Sequence, residues 1–187
     1  FYPRVTLAHL ALINPQDIPR IKQLGVITNF TPWWMGVEIG DVVKDFLGDE
    51  RYSKMYQPRT VFESGAVVTF SSDEWWGGDM LPTYISPYLG MQVGHTRQDP
   101  KEWWKTEDDG IRDPISERLD LDQLVEGYTL NGSYQLRLEN DLGSIEVGKL
   151  ADLVVLEKNL FDIDKYEIWK IKTSAVLMEG KIIQGDL

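Results

Sequence analysis

The stretch Val67-Val68-Thr69-Phe70-Ser71-Ser72-Asp73-Glu74-Trp75-Trp76 constrains the fold more than any other part of this chain. Its first four residues are β-branched or aromatic and follow the helix-stop pair Ser64-Gly65, which predicts a buried strand. Asp73 then falls at the strand's C-terminal rim. In α/β barrels and open parallel sheets that rim gathers reactive groups, because the loops leaving it converge on one concave surface. The competing reading is that Asp73 caps a helix beginning at Glu74.

Composition narrows the classes of function. With 187 residues, 42% of them hydrophobic, the chain can build one good core or a larger and a smaller one. The absence of cysteine rules out disulfides, thiolate metal sites and thiol nucleophiles. A net charge of -11 argues against a nucleic-acid partner, which needs clustered Lys and Arg. No apolar run approaches the roughly 20 residues that span a bilayer. The expectation is a soluble globular piece with no membrane or nucleic-acid partner, and the cytoplasm is the favoured compartment. The opening Phe1-Tyr2-Pro3-Arg4 lacks an initiator Met and a signal peptide and runs straight into a strand pattern, as in a chain cut inside a domain.

Read in order, Arg4 to Leu10 forms a strand ending at His9. Asn14-Pro15-Gln16-Asp17 starts a helix that stops at Gly25, with Pro19 able to move its true beginning to Asp17. Val26 to Phe30 is a second strand, ended by Thr31-Pro32-Trp33-Trp34. Strand, helix, strand favours a parallel crossover. Helical spacing covers 36–64, and the strand at Val67 follows. If the three strands are parallel neighbours, His9, Thr31 and Asp73 share one rim. The stretch 77–110 reads as an irregular loop with a job, a lid or pocket wall. Asp120 caps a helix through Leu124, Val125 and Tyr128 and on towards Leu138. Beyond Asn140 the texture changes to short strands with glycine turns, at 143–149, 151–156, 174–178 and 181–184, the last two joined by Glu179-Gly180. The domain division expected is 1–139 and 140–187.

Few residues could carry chemistry. Of the two histidines, His9 sits on the inferred rim with Asp73, and imidazole with carboxylate is the usual donor set for zinc and related ions in hydrolases. A lone strand His and a lone strand Asp can equally be structural. His95, between Gly94 and Arg97 in the long loop, is a second imidazole able to touch a ligand. Arg97 could hold an anionic substrate group or brace carboxylates of its own chain. Six tryptophans fall in adjacent pairs, Trp33-Trp34, Trp75-Trp76 and Trp103-Trp104. Trp33 and Trp75 follow the strand ends, where such rings either wall a pocket or pack loops together.

Taken together, the chain resembles the C-terminal third of the amidohydrolase superfamily, in the amidohydrolase family 3 branch that includes N-substituted formamide deformylase. The resemblance rests on Ala8-His9, Asp17-Ile18-Pro19-Arg20 with Leu24-Gly25-Val26, Leu47-Gly48 with Arg51, Ser64-Gly65-Ala66, Ser72-Asp73, Thr96-Arg97 and Tyr128-Thr129 with Asn131. Its most specific string is Leu142-Gly143-Ser144-Ile145-Glu146-Val147-Gly148-Lys149-Leu150-Ala151-Asp152-Leu153-Val154-Val155-Leu156.

The resemblance implies an α/β fold in which the strands ending at His9, Thr31 and Asp73 are the sixth to eighth of a metal-bearing (β/α)8 TIM barrel. The tail would be part of an appended β-sandwich. His9 would be a metal ligand and Asp73 a ligand that also shuttles the proton of the attacking water. From the residues themselves and not from the resemblance, Arg97, Trp33, Trp75 and His95 are the expected substrate contacts, and His95 stands where the family usually has an aliphatic residue. The implied cofactor is a divalent metal, zinc, as one or two ions. The implied activity is metal-dependent hydrolysis of amide or other non-peptide carbon-nitrogen bonds in a small molecule. The remaining ligands and the N-terminal barrel portion lie outside this sequence, so the fragment alone is expected to bind no metal and to be inactive. Its open sheet edges make a homo-oligomer an expected outcome. The family often has Glu where this chain has Ala8, and Trp-Pro where it has Glu74-Trp75. These departures keep open an amidohydrolase-like protein without chemistry, serving in binding or regulation (an exoenzyme regulatory protein).

Overall fold

The computed structural model describes residues 3–37, 43–73, 83, 85–101 and 110–186. Its centre is a three-stranded parallel sheet of β1 (Thr6–Leu7), β2 (Ile27–Phe30) and β3 (Val67–Phe70), in the order β1-β2-β3. Thr6 pairs with Ile27, Ile27 with Val67 and Phe30 with Phe70, so the three strands point one way and their C-terminal ends lie side by side.

Local sequence explains the connections. Asn14 caps a 3-10 turn at Pro15–Asp17 by accepting from the Gln16 amide, and α1 (Ile18–Leu24) follows, with Asp17 at its N-cap. Gly25 ends α1 at φ 63°, a conformation cheap only for glycine. Between β2 and β3 lie α2 (Lys44–Leu47), α3 (Asp49–Tyr52) and α4 (Pro58–Glu63). Phe30, Val68 and Phe70 are buried in one core cluster with Val61 of α4, Leu89 and Val93 of α5 (Pro87–Thr96), and Leu124 of α6 (Leu121–Tyr128). Asp120 starts α6 with a capping box completed by Gln123.

Three expectations need correction. The stretch 77–110 is not loop throughout, because α5 occupies residues 87–96. Its Gly90 and Gly94 weaken intrinsic helix propensity, but tertiary packing requires them: a Cβ at Gly90 would run into the Tyr128 hydroxyl, and one at Gly94 would lie 2.8 Å from Leu124. The helix from Asp120 does not run unbroken, since Thr129 (φ -115°, ψ -81°) separates α6 from α7 (Leu130–Leu136). Residues 143–149 form no strand. The expected helix at Glu74, the pairs Trp75-Trp76 and Trp103-Trp104, and the acidic run 107–109 lie outside the described residues.

The tail forms an antiparallel sheet of β4 (Leu153–Leu156), β5 (Thr173–Met178) and β6 (Lys181–Gly185), in the order β4-β5-β6. The Glu179-Gly180 turn has positive φ at both positions, as a two-residue hairpin demands. The tail is tied to the rest through α5: the Trp169 amide donates to Gln92 Oε1 at 3.1 Å, and the Tyr88 hydroxyl lies 2.8 Å from Thr173 Oγ1. Leu160, Ile168 and Ile171 complete the same core cluster. Among the described residues no helix is long and apolar enough to cross a membrane.

Candidate functional site

His9 follows the last residues of β1 in the left-handed region, at φ 53°, and Asp73 leaves β3 at φ 60°. Neither is glycine, so the surroundings must hold both conformations against their strain. On the His9 side, Leu10 N donates to Asn29 O at 3.1 Å, and His9 Nδ1 lies 2.9 Å from Thr31 Oγ1. The Trp34 ring stacks on the imidazole at 5.0 Å between centroids, with 26° between planes. On the Asp73 side, Ser71 N donates to Phe30 O at 3.0 Å, and Trp33 Nε1 donates to Ser72 O at 2.6 Å. Beneath them a buried polar chain crosses the sheet. Ser71 Oγ donates to Asn29 Oδ1 (2.7 Å), and Asn29 Nδ2 donates to Thr69 Oγ1 (3.1 Å).

These supports bring His9 Nε2 to 3.7 Å from Asp73 Oδ1, with both side chains about one-third exposed. The gap is too long for a hydrogen bond. It is close to the separation of two donors on one tetrahedral ion, about 3.3 Å when each bond is roughly 2.0 Å. Imidazole nitrogen and carboxylate oxygen suit zinc and similar divalent ions. Among the described residues no group of three or more His, Cys, Asp or Glu side chains that could hold a metal ion converges.

The other expected site residues are placed differently. Arg97 is fully buried at the C-cap of α5, where it braces the chain instead of facing an anion. Its guanidinium donates to four main-chain carbonyls: Tyr56 (2.8 Å), Arg112 (3.1 Å), Asp113 (3.2 Å) and Met55 (3.3 Å). Burial, with help from the charge of Arg112, lowers its pKa to about 10. His95 lies on α5 and not in a loop, and its Nδ1 sits 2.7 Å from Leu119 O. Trp33 is buried, meeting Trp34 edge-on at 6.0 Å, so it packs the rim and is no open pocket wall. Trp75 is outside the described residues. Sequence reasoning missed Thr31 and Asn29 as supports of His9. The strand register could have found them, because Leu7 pairs with Thr28 and the residues after Leu7 therefore run beside Asn29 to Thr31. A cleft of about 930 Å³ opens between the sheet, α6, α7 and β4, lined by Thr6, Asn29, Ser71, Tyr128, Leu136 and Val154 among others.

The amidohydrolase family model matches residues 1–184. The chain belongs to the amidohydrolase family. It is 22% identical over 179 residues to imidazolonepropionase of Alkaliphilus metalliredigens, covering 96% of this chain and 34% of that protein. Among solved structures it resembles an uncharacterized metal-dependent hydrolase of Pyrococcus horikoshii, with TM-score 0.66 and 21% identity, over 86% of this chain and 30% of that one. It also resembles a zinc-bound adenosine deaminase of Xanthomonas campestris, with TM-score 0.63 and 15% identity, over 96% and 37%. The chain spans about a third or less of the length of the curated relatives it matches. These likenesses establish the α/β fold of the amidohydrolase superfamily.

Proposed function

We propose that this chain is part of a metal-dependent hydrolase that cleaves amide or other carbon-nitrogen bonds of small molecules. In this reading β1, β2 and β3 are the sixth to eighth strands of a (β/α)8 barrel within residues 1–139, and residues 140–187 belong to a β-sandwich. His9 is a ligand of a divalent ion, zinc by the chemistry of the donor set, and Asp73 is both ligand and proton acceptor. The proposed substrate class is like that of N-substituted formamide deformylase. The observation that carries the reading is the His9–Asp73 pair, 3.7 Å apart on the rim of a parallel sheet in an amidohydrolase-family chain.

A divalent ion held there would acidify a water molecule and polarise the substrate carbonyl. The Asp73 carboxylate is placed to accept the proton of the attacking water and return it to the departing nitrogen. The acyl carbon then gains oxygen, the carbon-nitrogen bond breaks, and the amine leaves with the proton. His9, held through its other ring nitrogen, keeps Nε2 on the shared side.

Two measurements on the full-length protein test this. Metal analysis should find zinc, iron or manganese, and Asp73→Asn should lower kcat about 10²- to 10⁴-fold on a responsive amide, formamide or cyclic amide. Absence of bound metal, together with an unchanged rate in Asp73→Asn, refutes the proposal and favours a binding or regulatory protein.

A further inference from the structure

The residues that define the rim are not only the two candidate ligands. Three of the four residues that follow β2 divide between them: Thr31 and Trp34 hold His9, while Trp33 holds the backbone just before Asp73. Thr31 and Trp33 are almost wholly buried, and Pro32–Met35 form a 3-10 turn packed against α5. The element that carries these contacts is thus a fixed part of the core.

An imidazole binds a metal through whichever nitrogen lacks a proton, and the partner of the other nitrogen decides which that is. His9 Nδ1 meets the Thr31 hydroxyl at 2.9 Å, whereas Nε2 faces Asp73 across 3.7 Å with no hydrogen bond between them. Were Thr31 to donate to Nδ1, the proton on Nε2 would point into the shared gap and repel an ion. With Thr31 accepting, the Nε2 lone pair enters the gap.

We propose that Thr31–Trp34 is the positioning element of the site. Thr31 accepts a hydrogen bond from His9 Nδ1 and so fixes the tautomer that offers Nε2 to a metal ion. Trp34 fixes the plane of the ring, and Trp33 fixes the approach of Asp73. The inference rests on the metal-site reading above but concerns residues other than the two candidate ligands.

The test uses full-length protein labelled with ¹⁵N-histidine, metal-stripped, at alkaline pH where the imidazole is neutral, with the His9 signal assigned by its loss in His9→Gln. Wild type should show the single tautomer protonated at Nδ1. Thr31→Val, which keeps the buried shape and removes the hydroxyl, should show a mixture. Thr31→Ser should restore the single form. Chelator competition with zinc alone should show affinity about 10- to 100-fold lower in Thr31→Val and recovered in Thr31→Ser. Trp33→Phe, which lacks the Nε1 donor, should lose affinity with the His9 tautomer unchanged. A wild-type tautomer and wild-type zinc affinity in Thr31→Val overturn the positioning role. Zinc uptake absent from wild type, with the tautomer still scrambled in Thr31→Val, sinks the metal reading instead and leaves the imidazole's support by Thr31 upheld.

Discussion

Among the described residues the two sheets have three strands each and opposite environments. Every residue of β2 is buried, including Thr28 and Asn29, whose side chains bond to Val67 O (3.1 Å) and Thr69 Oγ1 (3.1 Å). Every residue of β6 is exposed. Both sheets contain non-glycine residues at positive φ: His9 and Asp73 at the parallel rim, Glu179 in the antiparallel hairpin. At the hairpin the conformation makes a tight turn, secured by Glu179 N donating to Asp152 Oδ1 at 2.7 Å. At the rim, buried neighbours hold it so that two side chains face each other across a fixed gap. Left-handed backbone is thus informative about function only where its surroundings are rigid and the side chains converge.

The largest expected contrast is chemical. Asp73→Asn should cost about 10²- to 10⁴-fold in kcat if the rim does the chemistry. Asp186→Asn, an exposed acid beside β6, should leave kcat unchanged. Steady-state kinetics on both variants breaks the comparison if the two fall together or neither falls.

The next contrast is in stability. Leu124 is fully buried between α5 and the parallel sheet, and Leu124→Ala should destabilise by about 2–5 kcal/mol. Ile183 on β6 is 62% exposed, and Ile183→Ala should stay within about 0.5 kcal/mol. Denaturant midpoints of the full-length variants decide. A large loss at Ile183 would show that this exposed strand is covered in the whole protein.

What the sequence made legible follows the same division. The run Val67–Phe70 and the stretch Val26–Phe30 read as strands because burial on both faces writes a continuous apolar signal, and their shared direction placed His9, Thr31 and Asp73 on one rim. Gly25 and Asp120 read as helix boundaries because capping chemistry is local. Helix α5 was hidden, since Gly90 and Gly94 answer to Tyr128 and Leu124, residues far along the chain. The stretch 143–149 failed for a related reason: a strand needs a partner backbone, and Ile145 and Val147 are exposed here. Arg97 misled because its residue type suggests an anion, whereas burial turned every donor to carbonyl oxygen. The roles of Thr31 and Trp33 depend on register and could not be read from their own neighbourhood.

The smallest expected effect tests the contact between the start of β1 and the end of α7. Arg4, entering β1, stacks its guanidinium 3.8 Å from the Tyr134 ring centroid and pairs with Glu139, just past α7. The hydrogen bond from Arg4 is the main cause that pulls the Glu139 carboxyl from 4.5 down to about 2. A carboxyl with a lower pKa when folded favours the folded state wherever it is ionised. Its contribution is complete above pH 4.5 and disappears as pH falls through about 2. Glu139→Gln should therefore lower Tm slightly at neutral pH, and the gap from wild type should close across that acid window. Because the pair is solvent-accessible, added salt should narrow the neutral-pH gap as well. A gap that persists unchanged at low pH and in high salt would mean that Glu139 acts there by packing, leaving the charge of Arg4 without a part in joining the start of β1 to the end of α7.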